Sequence, residues 1–172
     1  DSLNNTGDLS VFQNAYSSHT HTIMVLRDAL TQSNQYNNLH YTQVPSLINV
    51  LNASDFETVW LSNQVKLSNW DNIVSAIAGA CNKQIYVNKN VGESMRNSPY
   101  DERLLPELEK ILSAPPKQNR AIFIHVLGNH GQYNERYPNS FKGIPSRGVA
   151  DFGGVKDLPT WKEYDNSIFY SD

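Results

Sequence analysis

A single cysteine, Cys81, occurs in the 172 residues. That excludes an intrachain disulfide framework and a cysteine-built zinc site. Its neighbours in AIAGAC are small and apolar, the setting of a buried thiol. An excess of positive charge is also lacking. Lys and Arg number 14 against 17 Asp and Glu, a net charge of −3. That leaves no basic field for nucleic acid, and no nucleic-acid partner is expected. No apolar run is long enough to cross a membrane, and no signal peptide is legible. No Met heads the chain. The polar start DSLNNTGDLS and a stop inside the helical pattern YDNSIFYSD read as two cut ends, so the chain is expected to be a fragment. Internal repeats and low-complexity tracts are missing. So are a Walker loop, GxGxxG, HExxH and GxSxG.

What is present is a globular composition, 39% hydrophobic and 18% charged, in a length that suits one domain over residues 1–172. Strand and helix signals alternate along it. LSVFQNA, 9–15, reads as a short strand. From Thr22 the apolar residues Ile23, Leu26 and Leu30 fall at helical spacing. Pro45 opens a helix with Leu47, Val50 and Leu51 on one face. TVWLSN, 58–63, is a β-branched and aromatic strand. Residues 67–80 read as a helix and QIYVN, 84–88, as a strand. Asp101 opens a helix that carries Pro106 early and is broken at Pro115-Pro116. RAIFIHVLG, 120–128, is apolar on both faces, as a central parallel strand would be. WKEYDNSIFYSD reads as a last helix. This alternation predicts βαβ units, hence an α/β fold with a mainly parallel sheet. Ligands of such sheets sit beyond the carboxyl ends of the strands.

Three loops occupy those positions. YSSHTHT, 16–22, crowds hydroxyls and two histidines before a helix. A Thr there faces free amides and the positive end of the dipole, which favour an anion such as a phosphoryl group. Its hydroxyl needs a base or a metal to become a nucleophile. The plain alternative is an N-cap. His19 and His21 alternate and make no convincing metal pair. SNQ, 62–64, offers polar groups for a head group, or simply ends a strand. In HVLGNHGQYNERYP, His125 sits inside the strand as a core histidine. His130 follows the strand end between glycines, with room for a ligand or metal. A turn with a chance histidine explains it equally well. Tyr164, Asp165 and Asp172 are acidic or phenolic positions whose default is a solvated face or a packing contact.

Taken together, these stretches resemble the periplasmic catalytic domain of the phosphoethanolamine transferases, within the alkaline phosphatase and sulfatase superfamily. VFQNAYSSHTHT is similar to the segment around that family's threonine nucleophile. VPSLINVLNASDFETVWLSNQ, HVLGNHGQYNERYP and YDNSIFYSD resemble the units that follow, in the same order. The resemblance implies a three-layer α/β/α fold, incomplete here at both ends. It implies Thr22 as nucleophile, with Thr20 the near alternative, and His130 as a contact to the phosphoryl group or a second zinc. Asn63 and Gln64 fall at the family's polar head-group positions. Thr22 and His130 would be this chain's zinc ligands, the others lying outside the sequence. Glu93, in a GES at 92–94, is out of place for the family's metal motif. The implied parent works at the periplasmic face of the bacterial inner membrane. It is anchored by helices preceding the domain, most simply as a monomer. It would take phosphoethanolamine from phosphatidylethanolamine and deliver it to lipopolysaccharide, at lipid A or core. A hydrolase or glycerol-phosphate transferase of the superfamily, a pseudoenzyme or binding module, and a segment inert by itself are the rival expectations.

Overall fold

A computed structural model describes residue 12 and residues 14–66, 72–89, 100–115, 118–141, 143 and 158–171. Helices α1 (Thr22–Leu30) and α2 (Leu47–Ala53) lead into strand β1 (Glu57–Ser62). Helix α3 (Asn72–Ala78), strand β2 (Lys83–Tyr86), helix α4 (Leu105–Ser113), strand β3 (Arg120–His125) and helix α5 (Leu158–Ser171) follow. The three strands form one parallel sheet in the order β2-β1-β3. Ser62 pairs with both Tyr86 and His125, so the three strands finish level.

Alternation along β1 builds the layers. Trp60 faces a cluster with Ile48, Val74, Ile77, Ala78 and Cys81, against which Ile23, Leu26 and Leu30 of α1 pack. Val59 and Leu61 face the other way, onto Leu104, Leu108 and Ile111. Helices α1, α2 and α3 therefore lie on one face and α4 on the other, the expected three-layer α/β/α arrangement. Full burial of side chains such as Leu61 stabilises by about 1.5–3 kcal/mol each.

The sheet corrects one expectation. The doubly apolar run 120–128 looks central, but β1 is the central strand. Thr58 through Ser62 are buried. Among the described residues β3 pairs with β1 alone, and Ile124 and Val126 stay 49% and 47% exposed. The polar residues of β1 are buried because each is satisfied. The Thr58 hydroxyl lies within hydrogen-bond reach of Asn52 Oδ1 and Asn82 Oδ1, at 2.7 and 3.0 Å, while Asn82 N donates back to Thr58 Oγ1 at 3.0 Å. Leaving such a group unpaired would cost about 1–3 kcal/mol.

Smaller corrections concern helix edges. Ser46, not Pro45, starts α2. Its hydroxyl accepts from Asn49 N at 3.1 Å and its amide donates to Asn49 Oδ1 at 2.9 Å, a reciprocal capping box. Ile48 is the buried residue of that helix, whereas Leu47 and Val50 are 45% and 52% exposed. The segment opened by Asp101 first makes a short helical turn, Asp101–Leu104, before α4, with Pro106 in the first turn of α4. Residues 67–71 of the expected third helix lie outside the described residues. So do most of 9–15, where Phe12, Asn14 and Ala15 are described and form no strand. Arg120 ties the start of the sheet to α4. It pairs with Glu57 at 2.6 Å and donates to the carbonyls of Ile111 and Ala114 at the helix end.

Cys81 is buried and free. Burial pushes its thiol up to about 11, against a hydrogen bond with Thr58 that lowers it. The reactive thiolate is therefore scarce at pH 8. The folded protein is expected to resist iodoacetamide at pH 8 and to react at once in denaturant, read by mass. Rapid labelling of the folded protein would contradict the burial described.

Candidate functional site

The carboxyl ends of β1 and β3 form the candidate site. Asn63 N donates to His125 O at 3.0 Å, which prolongs the pairing past the strands. Gln64 Nε2 then donates to Val126 O at 3.2 Å. Ser62 Oγ accepts from Gln64 N at 3.0 Å and lies 3.3 Å from His125 Nδ1. The edge of the His125 ring meets Trp60 at 5.5 Å. His125 is thus a partnered histidine within the sheet.

Beyond these ends the chain parts to opposite faces. After β1 it goes to α3, on the Trp60 side. After β3 it goes to α5, where the Tyr170 hydroxyl donates to Glu102 at 2.8 Å, beside Leu104 of the opposite layer. Strands whose continuations diverge this way leave a crevice between their ends. Asn166 of α5 is buried and fills the space that a side chain at Gly143 would need.

One carboxylate, which the sequence reading passed over, organises the crevice. Asp101 Oδ1 accepts from Asn63 Nδ2 and from Leu127 N, both at 2.8 Å, and Oδ2 accepts from Gly128 N at 2.7 Å. Gly128 has φ +58, a left-handed conformation that glycine tolerates best. His130 N closes the turn onto Leu127 O at 3.4 Å. Arg136 lies beside this loop, 5% exposed. It donates to Gln132 O and pairs with Glu135, each at 3.5 Å. Burial lowers its pKa from the ordinary value, opposed by the charges of Glu135, Asp101 and Tyr100. In sequence, Asp101 reads as an acidic residue opening a helix. Its partners lie 26 to 38 residues away, beyond the range of any local pattern.

The expected site residues take different positions. His130 is exposed, and its ring makes no hydrogen bond among the described residues. Gln64 is partly exposed at the crevice rim. Asn63 is fully buried, with its amide given to Asp101. Thr22 is the first residue of α1, exposed, and follows His21, whose carbonyl accepts from Met24 N and Val25 N at 3.1 Å. Thr20 Oγ1 lies 3.2 Å from His21 Nδ1. His19 turns elsewhere, to Asp28 at 3.3 Å. Among the described residues no hydrogen bond or ring contact joins Thr22 to His130, Asn63 or Gln64. The Tyr164 ring packs on Tyr133 at 5.1 Å. Glu93 and Asp172 lie outside the described residues.

Zinc takes four ligands, three of them from protein in catalytic sites. Among the described residues no three His, Cys, Asp or Glu side chains gather to hold a metal. Thr22 and His130 are two separate donors, so the described residues do not by themselves fit zinc. No helix among them is long and apolar enough to cross a membrane.

The Asn63–Asp101 contact yields a pH signature. Asn63→Asp places two carboxylates side by side and raises the carboxyl pKa in the folded state above its unfolded value. The stability contributed by the protonated pair is then present at acid pH and lost as pH rises through that raised pKa. The variant's deficit in Tm against the parent sequence is expected to be large at neutral pH and to shrink on acidification. A deficit independent of pH would contradict the geometry.

The sulfatase family model matches residues 3–172. Phosphoethanolamine transferase EptC of Escherichia coli (strain K12) is 31% identical over 176 residues, all of this chain and 30% of that protein. Phosphoethanolamine transferase CptA of Salmonella typhimurium is 31% identical over 92% of the chain and 27% of its own length. The C-terminal periplasmic domain of EcEptC from Escherichia coli, solved in complex with Zn, superposes with a TM-score of 0.84 at 30% identity. That match covers 99% of this chain and 48% of the solved one. The chain therefore spans under a third of these curated relatives and about half of the solved domain. A match over nearly every residue, on a parallel sheet flanked by helices as in that solved domain, means that the chain belongs to the sulfatase family.

Proposed function

We propose that this chain is part of the catalytic domain of a phosphoethanolamine transferase at the periplasmic face of a bacterial inner membrane. The observation that carries the reading is the likeness, along the whole chain, to enzymes of that name. Phosphatidylethanolamine is the donor and lipopolysaccharide, at lipid A or core, the acceptor. Membrane anchorage falls to other parts of the parent protein, which acts as a monomer.

Thr22 is the nucleophile. Its exposed hydroxyl at the start of α1 lies where free amides and the helix dipole favour a phosphoryl group. Thr22 Oγ1 attacks the donor phosphorus. The bond from phosphorus to the glycerol oxygen breaks, and diacylglycerol leaves with the proton. An acceptor oxygen then attacks the same phosphorus and frees Thr22, giving up its own proton. His130 donates to the phosphoryl oxygens as charge builds on them, which its exposed ring beyond β3 permits. Gln64 steadies the head group at the crevice rim, and Asn63 acts through Asp101. Zinc, when bound, supplies the charge that eases loss of the hydroxyl proton. Thr22 and His130 would be this chain's donors to it, with the remaining ligands coming from other parts of the parent protein, so the 172 residues alone would be inactive.

The test is transfer of labelled head group from phosphatidylethanolamine to lipopolysaccharide by the full-length protein. Thr22→Ala is expected to lose activity by about 1,000-fold or more, as loss of a covalent nucleophile does. His130→Ala is expected to lose about 100-fold, the scale of one oxyanion donor. Both sites are exposed, so Tm should hold. Substantial transfer by Thr22→Ala removes Thr22 from the mechanism. Unfolding of His130→Ala returns that histidine to a plain turn. Label released without acceptor identifies a hydrolase, and no turnover at all a binding module.

A further inference from the structure

The carboxylate of Asp101 is shared among three segments: its own helical turn, the residue after β1 and the loop after β3. It follows Tyr100 at the start of a helical turn, yet none of its three hydrogen bonds serves that turn. They run to Asn63 beyond β1 and to two successive amides, Leu127 and Gly128, beyond β3. A carboxylate that accepts several N–H bonds is held strongly in one orientation. Leu127 in turn accepts from His130 N, so His130 hangs one link from Asp101. Arg136 stands beside the same loop. With Tyr100, Asp101, Leu127, Gly128 and Glu135 it lines a small cavity there.

We infer that Asp101 is a positioning residue: it sets the loop 126–131 and so aims the His130 ring into the crevice. Without it the amides of Leu127 and Gly128 lose their acceptor, and the loop keeps only the bonds of Val126 O to Gln64 and of Leu127 O to His130 N, with a glycine free to change conformation between them. Asp101 touches no reacting atom, and its effect passes through His130. The inference rests on the transferase reading.

The test is a double-mutant cycle on the full-length protein, with Asp101→Asn, His130→Ala and the pair. Head-group transfer is read as kcat and KM, and loop order as hydrogen exchange at Leu127 and Gly128. Asp101→Asn is isosteric but turns one acceptor oxygen into a donor. It is expected to lower kcat at least tenfold with KM within about twofold, and to speed exchange at those two amides while β1 and β3 keep their protection. In the His130→Ala background the same substitution should change kcat by less than about twofold. Equal losses in both backgrounds overturn the inference, as does unchanged exchange. Unfolding of Asp101→Asn overturns it too, since it assigns Asp101 to the loop and not to the fold. No transfer by the parent enzyme instead defeats the transferase reading. The exchange data then still decide whether Asp101 orders the loop.

Discussion

The parallel pairing of β1 with both its neighbours is the constraint on which the remaining structure depends. It brings Ser62, Tyr86 and His125 level. It lets Asn63 N reach His125 O and keeps the two chains together for one more residue before they diverge. A one-residue slip would turn Trp60 from one layer to the other and send Asn63 away from Asp101. The crevice is therefore a product of register. Its walls are the loops that the register releases at one height.

That placement requires polar groups inside. Thr58 and Ser62 on the central strand and Asn63 just past its end are all fully buried. Each finds partners on a different neighbour: the loop before β2 for Thr58, β3 for Ser62, and the turn before α4 for Asn63. Such bonds add modest net stability, of the order of 1 kcal/mol each, but are costly to break from one side. Their larger consequence is uniqueness, because few arrangements satisfy all of them together. Asp101 extends the same logic from the sheet to the loop bearing His130. The sheet supplies rigidity and the carboxylate transmits it.

Much of the fold was legible because it is written in local periodicity. Ile23, Leu26 and Leu30 announce α1 and do pack on the core. TVWLS announces β1, and strand–helix alternation announces a parallel sheet. What escaped is non-local. Which strand is paired on both edges depends on distant partners, and among the described residues that strand is β1 and not the more apolar β3. The start of α2 depended on whether Ser46 or Pro45 made the cap, which Asn49 decides. Loop chemistry pointed to His130 between its small neighbours, to the polar Asn63-Gln64 pair after β1 and to the hydroxyl-rich stretch that ends at Thr22, each at an element's end. Asp101 and Arg136 were silent. The partners of Asp101 are brought near only by the fold, and Asn63, expected at the head group, gives its amide to Asp101 instead.

Thr22 stands at the start of α1, with no hydrogen bond among the described residues to the crevice that Asp101 organises, and the central claim is that both serve one transfer reaction. Peptide mass mapping of the full-length protein after incubation with zinc and phosphatidylethanolamine tests it most directly. The account predicts a phosphoethanolamine adduct on the peptide that carries Thr22, removed when lipopolysaccharide is added. An unmodified Thr22 peptide, in protein shown to hold zinc, would contradict it.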